Sequence, residues 1–336
     1  MKKVITLMLA VAVALFAVAA LTSCGPNEAD DSLKVAVVLA GATGDRSFYD
    51  SANEGLEYLK SAGGVKGTLI ECQNDASMFT TNLVSAAESN DVVVAVGWEF
   101  WDVLTECAPQ MPDTKFLFVD NGLDGVGNNL LSITYAQNEG SFLVGYIAGK
   151  LTKTGKIGAV GGEDSETIND FIVGYEAGAK YANPLVEVKT QYAGTYEDPA
   201  RGKELALALY DSGCDIVFQV ASRTGEGVFE AAAERGLYAI GVDSDQKYIN
   251  PDVIICSMIK KVNLSIEEPI TELLNNGTWN GGQIWVADMS TGLIDVGYGD
   301  DTMTQQVSDE LKAEVEEIKA AIISGEIKVP TAFDAD

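Results

Sequence analysis

Short apolar runs rich in Val and Ile alternate with longer segments of helical period from residue 33 almost to the end of the chain. The runs are continuous rather than alternating, as in strands that are covered on both faces of a sheet. That is the pattern of parallel strands joined by crossover helices. It predicts strands at 34–39, 68–72, 92–96, 116–119, 131–134, 157–160, 186–191, 216–220, 239–242 and 254–259. Helices are predicted at 51–61, 81–88, 140–151, 170–181, 199–212 and 227–236. Pro199 suits a first helical turn, and Gly213 and Gly236 suit helix stops.

About ten strands exceed the usual size of one sheet, and two successive sets of about five predict two α/β lobes with a break near residues 135–139. Lobe 1 is expected to hold 33–136 and to take back about 260–290, and lobe 2 to hold 137–258. Residues 262–276 form another amphipathic segment, and 284–286 and 293–296 read as strands crossing back between the lobes. Residues 291–336 then comprise a crossover strand and a C-terminal helix with no lobe assigned. A ligand is expected in the cleft between the lobes, outside the C-terminal ends of the strands.

The segment ahead of this body has another pattern. Lys2 and Lys3 precede an uncharged stretch over residues 4–21, followed by Thr22, Ser23 and Cys24. A positive start, an apolar middle and small residues at the end are the parts of an export signal, and the last four residues resemble a bacterial lipoprotein box. Residues 1–23 are therefore expected to be removed, Cys24 to be acylated, and residues 24–32 to act as a polar tether. The alternative is an uncleaved anchor, since about 18 apolar residues approach the length that spans a bilayer. That alternative leaves the box ending in Cys unexplained. Two or more acyl chains hold a protein durably, which places this one on the extracytoplasmic face of the cell membrane.

Charge narrows the ligand classes. The formal net charge of −28 repels phosphate backbones, so nucleic acid is a poor partner, while neutral or cationic solutes remain open. Beyond Cys24, the cysteines Cys72, Cys107, Cys214 and Cys256 have no CxxC spacing and read as small core residues, with no metal site expected. The chain has no histidine, which removes Ser-His-Asp and Cys-His nucleophiles and the HExxH metal site. Carboxylate catalysis survives that test, but no pair among the acidic residues is marked by spacing.

Two glycine motifs are weak. Residues 149–156 (GKLTKTGK) miss the phosphate-loop spacing and follow no strand, so they read as a helix end with a turn at Gly155. Residues 222–231 (SRTGEGVFEA) follow a strand and open a helix, but Glu230 stands where a dinucleotide fingerprint has its last glycine. The sound reading is a strand-to-helix turn with free N–H groups facing the cleft. No cofactor is expected.

Several strand-to-helix turns carry polar or aromatic residues. Residues 44–50 (GDRSFYD) lead into the first helix, where Asp45 or Ser47 suits a cap and Asp45 is also a ligand candidate; Phe48 suits either a core staple or a stacking surface. Trp98 and Trp101 follow the third strand, as helix anchors or ligand surfaces, and Asp120 follows the fourth. In the second half Tyr196 precedes a helix, Asp243 follows a strand, and Lys260 ends the last long apolar run. Carboxylates accept from hydroxyls and a lysine donates to the same group. Aromatic faces beside carboxylates suit a neutral ligand with one flat part and one hydroxylated part, as in a nucleoside.

These residues stand in familiar blocks: 44–56 (GDRSFYDSANEGL), 132–149 (SITYAQNEGSFLVGYIAG), Gly161-Gly162, 175–184 (YEAGAKYANP), 196–206 (YEDPARGKELA), 223–232 (RTGEGVFEAA), 238–246 (YAIGVDSDQ) and 257–262 (SMIKKV). Together they resemble the basic membrane protein family of substrate-binding lipoproteins, which includes purine-nucleoside receptors of ABC importers. The resemblance spans nearly the whole mature chain. It implies an α/β type I periplasmic-binding-protein fold, with two doubly wound parallel-sheet lobes joined by crossover strands around a ligand cleft that closes by hinge motion. It also implies a nucleoside-like ligand, ABC permease and ATPase partners, a monomer, and no catalysis.

By the same resemblance, Phe48 and Tyr196 face the base, while Asp120, Asp243 and Lys260 hold the ribose hydroxyls. Two positions depart from the pattern. Leu39 stands where relatives with purine specificity carry an edge-reading Asp, and Tyr49 replaces the Asn after the stacking Phe. Unmatched polar groups weigh heavily on specificity, so a shifted base preference or another flat solute such as riboflavin is an open alternative. A ligand-sensing surface lipoprotein is another.

Overall fold

In a computed structural model, residues 32–334 are described; Cys24 and the tether before Ser32 lie outside them. Val-rich runs such as Val92–Val96 (VVVAV) are buried along their whole length because helices cover both faces of their sheet. The first sheet contains β1 (Leu33–Leu39), β2 (Val65–Glu71), β3 (Val92–Val96), β4 (Lys115–Val119) and β5 (Leu130–Tyr135), with β11 (Gln283–Ala287) at its edge. Its order is β11-β5-β4-β3-β1-β2, all parallel.

The second sheet contains β6 (Lys156–Gly161), β7 (Glu187–Tyr192), β8 (Ile216–Val220), β9 (Tyr238–Asp243), β10 (Ile254–Lys260) and β12 (Ile294–Gly297). It has the matching order β12-β10-β9-β8-β6-β7, with β12 antiparallel to β10. The edge strands β2 and β7 carry polar side chains and are only partly buried.

Nine α-helices are described: α1 (Phe48–Ala62), α2 (Ala76–Ser89), α3 (Trp101–Cys107), α4 (Gln137–Leu151), α5 (Glu166–Ala182), α6 (Pro199–Asp211), α7 (Glu226–Arg235), α8 (Val262–Asn276) and α9 (Asp309–Ile323). Several begin three to five residues before the onset of apolar period, because a first turn is polar and capped. Ser165 accepts from the Ile168 N–H to start α5, and Asp198 accepts from Arg201 ahead of Pro199 to start α6. Gly236 ends α7 in the left-handed conformation. Helices α4 and α5 pack at very close range, since a Cβ on Gly178 would lie 1.9 Å from the Phe142 carbonyl oxygen.

The chain crosses between the sheets after β5, after β10 and between β11 and β12. Backbone hydrogen bonds lace the crossings together, from Ala136 N to Ala287 O at 3.0 Å and from Lys261 N to Leu293 O at 2.9 Å. Glu139 accepts from the Met289 N–H at 2.9 Å. Few segments therefore need to change φ and ψ for one lobe to swing on the other.

The weak motifs resolve into packing. Helix α4 ends at Leu151, and Gly155 takes a φ of +70°. Gly227 permits α7 to approach α6, where a Cβ would lie 1.9 Å from the Pro199 carbonyl oxygen. Cys72, Cys107, Cys214 and Cys256 are free and buried. Among the described residues, no helix is long and apolar enough to cross a membrane, and no cluster of three or more His, Cys, Asp or Glu is placed to hold a metal ion.

Candidate ligand-binding cleft

The loops at the C-terminal ends of the strands are bent into conformations that side chains disfavour. Among the described residues, the non-glycine residues with positive φ are Arg46 after β1, Gln73 and Asn74 after β2, Asp120 after β4, Ser222 after β8, and Asp243 at the end of β9. Such strain gathers where the surrounding structure fixes a functional geometry. These ends line a cavity whose walls include Phe48, Trp98, Glu99, Asp120, Tyr196, Asp243 and Lys260. Six of the seven ligand candidates thus meet in one cavity.

One part of the cavity is a charge cluster. Lys260 Nζ donates to Asp120 Oδ1 at 2.6 Å. The same ammonium lies over three rings, 4.8 Å from the centroids of Phe48 and Tyr135 and 5.2 Å from that of Phe171. Such contacts strengthen as water is excluded. Asp243 Oδ2 accepts from Ser47 Oγ at 2.6 Å. Burial pushes the Asp243 carboxyl above its ordinary range, against the pull of Lys260 and Ser47.

Aromatic groups form much of the remainder. Phe48 meets Tyr49 edge to face at 5.2 Å. The Tyr196 ring lies against Gly162, where a Cβ would sit 2.1 Å from Cε1. Burial raises the Tyr196 phenol well above its ordinary value, as do the nearby carboxylates of Glu163, Glu99 and Asp120. Trp98 lines the cavity while remaining 37% exposed, and Trp101 packs edge-on against Phe118 at 6.4 Å. Trp101 does not line the cavity.

Asp45 does not line the cavity. Its carboxylate accepts from the backbone N–H groups of Ser47, Tyr49 and Asp50 at 3.0–3.1 Å, holding the start of α1. Oδ2 also accepts from Ser222 Oγ of the other lobe at 3.0 Å. Burial pushes Asp45 up to about 6 despite those donors. Other bonds cross the cleft from Asn74 Nδ2 to Glu197 Oε1 at 2.8 Å and from Gln246 Nε2 to the Arg46 carbonyl oxygen at 3.0 Å. The lobes are closed on the cavity.

Sequence reasoning missed Glu99, Tyr135, Phe171 and the cross-cleft role of Ser222. Glu99 carried the one available signal, a carboxylate between two aromatics directly after a wholly apolar strand.

A family model described as "ABC transporter substrate-binding protein PnrA-like" matches residues 32–332. The chain belongs to this Bmp family. Among Bmp relatives, basic membrane protein A of Borreliella burgdorferi is 35% identical over 302 residues, covering 89% of this chain and 88% of its own. A Lactococcus lactis protein named "ABC transporter nucleoside-binding protein BmpA" is 34% identical over 349 residues, covering 95% and 97%. A crystal structure of an ABC transporter solute-binding protein from Aeropyrum pernix superposes with a TM-score of 0.80 at 28% identity, covering 89% of this chain and 94% of that one. The fold is that of the type I periplasmic-binding proteins.

Proposed function

We propose that this Bmp-family substrate-binding protein captures a nucleoside, with a purine base as the finer expectation to test, and hands it to an ABC importer. The observation that carries the reading is one cavity that joins aromatic faces, Phe48 and Tyr196, to a hydroxyl-binding cluster, Asp120, Asp243 and Lys260. Vicinal hydroxyls donate to the two carboxylates and accept from the ammonium; a flat base lies against the rings. The nucleoside-binding name of the Lactococcus lactis relative supports the same ligand class. Trp98 closes the mouth, and Asp45 acts indirectly, by holding Phe48 at the start of α1. Closing the lobes brings the groups of both sheets onto the ligand, and the cleft supplies binding rather than turnover.

Delivery to a permease requires the protein to stay near the membrane. Acylation of Cys24 after removal of residues 1–23 provides that, with the protein working as a monomer on the extracytoplasmic face. Labelled palmitate should enter the wild-type protein in cells and not the Cys24→Ser variant.

The ligand is tested by calorimetry and thermal shift on residues 25–336 with nucleosides, free bases, riboflavin and sugars. Nucleosides are expected to bind saturably and raise the melting temperature with concentration, without being converted to free base. A shift with riboflavin and none with any nucleoside would overturn the reading.

A further inference from the structure

Most polar groups of the cavity already have partners: Lys260 has Asp120, Asp243 has Ser47, and Ser222 has Asp45. Glu99 is different. Its Oε2 is shut off from solvent and has no hydrogen-bond partner. The other such side-chain atoms among the described residues are the hydroxyls of Ser141, Tyr175 and Tyr298, none of which lines the cavity. A buried polar atom left without a partner is unfavourable, and its retention calls for an explanation such as a ligand that completes it. The carboxyl lies over the end of β3, where a Cβ on Gly97 would be 2.4 Å from Oε2, with Gly97 itself lining the cavity.

The surroundings favour the uncharged acid. Burial is the main cause that pushes Glu99 up to about 7, against the pull of its own backbone N–H, and the carboxylates of Asp120 after β4 and Glu163 after β6 add to it. The phenols of Tyr49 on α1 and Tyr196 before α6 also interact with Glu99, and both are held neutral by burial. A neutral carboxyl offers one donor and one acceptor side by side, whereas a carboxylate offers acceptors only.

We propose that Glu99 is a specificity-determining residue that, as a neutral acid, reads a base edge carrying one donor and one acceptor side by side, an inference that rests on the nucleoside reading. The amidine edge of an adenine-type base and the lactam edge of a hypoxanthine-type base both have that arrangement. Gln at this position keeps the donor and the acceptor without a titration. Ala removes both.

Calorimetric titration of wild type, Glu99→Gln and Glu99→Ala with adenosine, inosine and purine riboside, from pH 5.5 to 8.5, tests this. For adenosine or inosine, the wild-type dissociation constant should be level at low pH and rise toward about tenfold per pH unit above neutrality, as the required proton is lost. Glu99→Gln should keep the low-pH affinity and remove that part of the pH dependence, leaving any contribution from Asp45 or Asp243. Glu99→Ala should weaken adenosine or inosine by about tenfold or more, and purine riboside, which lacks the exocyclic group, by clearly less.

If these nucleosides bind and neither variant alters their affinity or pH profile, the role of Glu99 is overturned while the nucleoside reading stands. Affinity that rises above neutral pH through Glu99 overturns the neutral form. If no nucleoside binds the wild type, the proposed function fails and this inference fails with it.

Discussion

Replacing Asp120 by Asn removes one charge from a buried pair whose members stand on different lobes. Lys260 Nζ lies 2.6 Å from Asp120 Oδ1, and the two side chains are 2% and 10% exposed. Asn tolerates the φ of +80° at this position better than most residues, so the exchange alters charge with little backbone strain. Removing one partner of a buried pair costs about 3–5 kcal/mol. The lower end, about 3 kcal/mol, applies here, because Asn keeps an acceptor and Asp243 remains near Lys260 as a counter-charge.

The decisive point is which state bears that cost. In an opened cleft both groups reach water, so the loss falls on the closed form. Binding that depends on closure is weakened by the same amount, which is about 150-fold in dissociation constant. The melting temperature of the ligand-free protein should then change little. If the pair instead holds the fold together, the same 3 kcal/mol lowers the melting temperature by roughly 6–12 °C. Calorimetric titration with the best nucleoside, together with scanning calorimetry of the free protein, separates the two. A drop of that size with affinity retained would refute the closure argument.

Three further outcomes are expected. Gly162→Ala places a methyl 2.1 Å from the Tyr196 ring and should displace it, lowering ligand affinity by about tenfold; unchanged affinity would remove Tyr196 from the site. Asp45 has a folded value of about 6 against 3.8, so its stabilising contribution is full below the lower value and lost as pH rises through the upper one. Asp45→Asn should therefore gain up to about 3 kcal/mol relative to wild type between pH 4 and 7, and parallel denaturation curves against pH would contradict this. Gly178→Ala drives a methyl into the Phe142 carbonyl and should destabilise by about 3 kcal/mol; a melting temperature within about 2 °C of wild type would show that α4 and α5 can part freely.

The sheets were legible because doubly covered strands write themselves as apolar runs, and the two sets of runs became two sheets with matching strand orders. Helix starts were less legible, since Glu166–Asn169 (ETIN) is held by the Ser165 cap rather than by apolar period. Helix α3 was implied only by the anchoring aromatics and given no bounds, being one short element that follows Trp98 and Phe100 directly. The cavity was legible in part. Asp120, Asp243 and Lys260 lie at strand ends and Phe48 at the helix start that follows β1, where a cleft site is expected, but Phe171 sits within a helix whose period reads as core. Nothing local tells Phe171 that an ammonium 5.2 Å away faces its ring. Left-handed φ at Asp120, Ser222 and Asp243 is equally invisible, because Asp and Ser suit ordinary turns as well.

The two sequence departures belong to one local packing change. Leu39 is wholly buried in the main core, so the strand end that carries an edge-reading carboxylate in the resemblance has become apolar here. Tyr49, also in that core, fills the space above Gly41, where a Cβ would lie 2.4 Å from its Cε2. An acid at position 39 would face that core rather than water, and burial without a partner is what a carboxylate tolerates least. The neighbouring strand end supplies a different acid, since Glu99 follows β3, which pairs with β1 through Leu39 and Val96. The reader of the base edge proposed above would thus approach from β3 rather than from β1. A double exchange of Leu39→Asp with Glu99→Leu tests this. It should restore affinity for a nucleoside only when Tyr49→Asn reopens the space at β1, and recovery with Tyr49 intact would refute the link between the two departures.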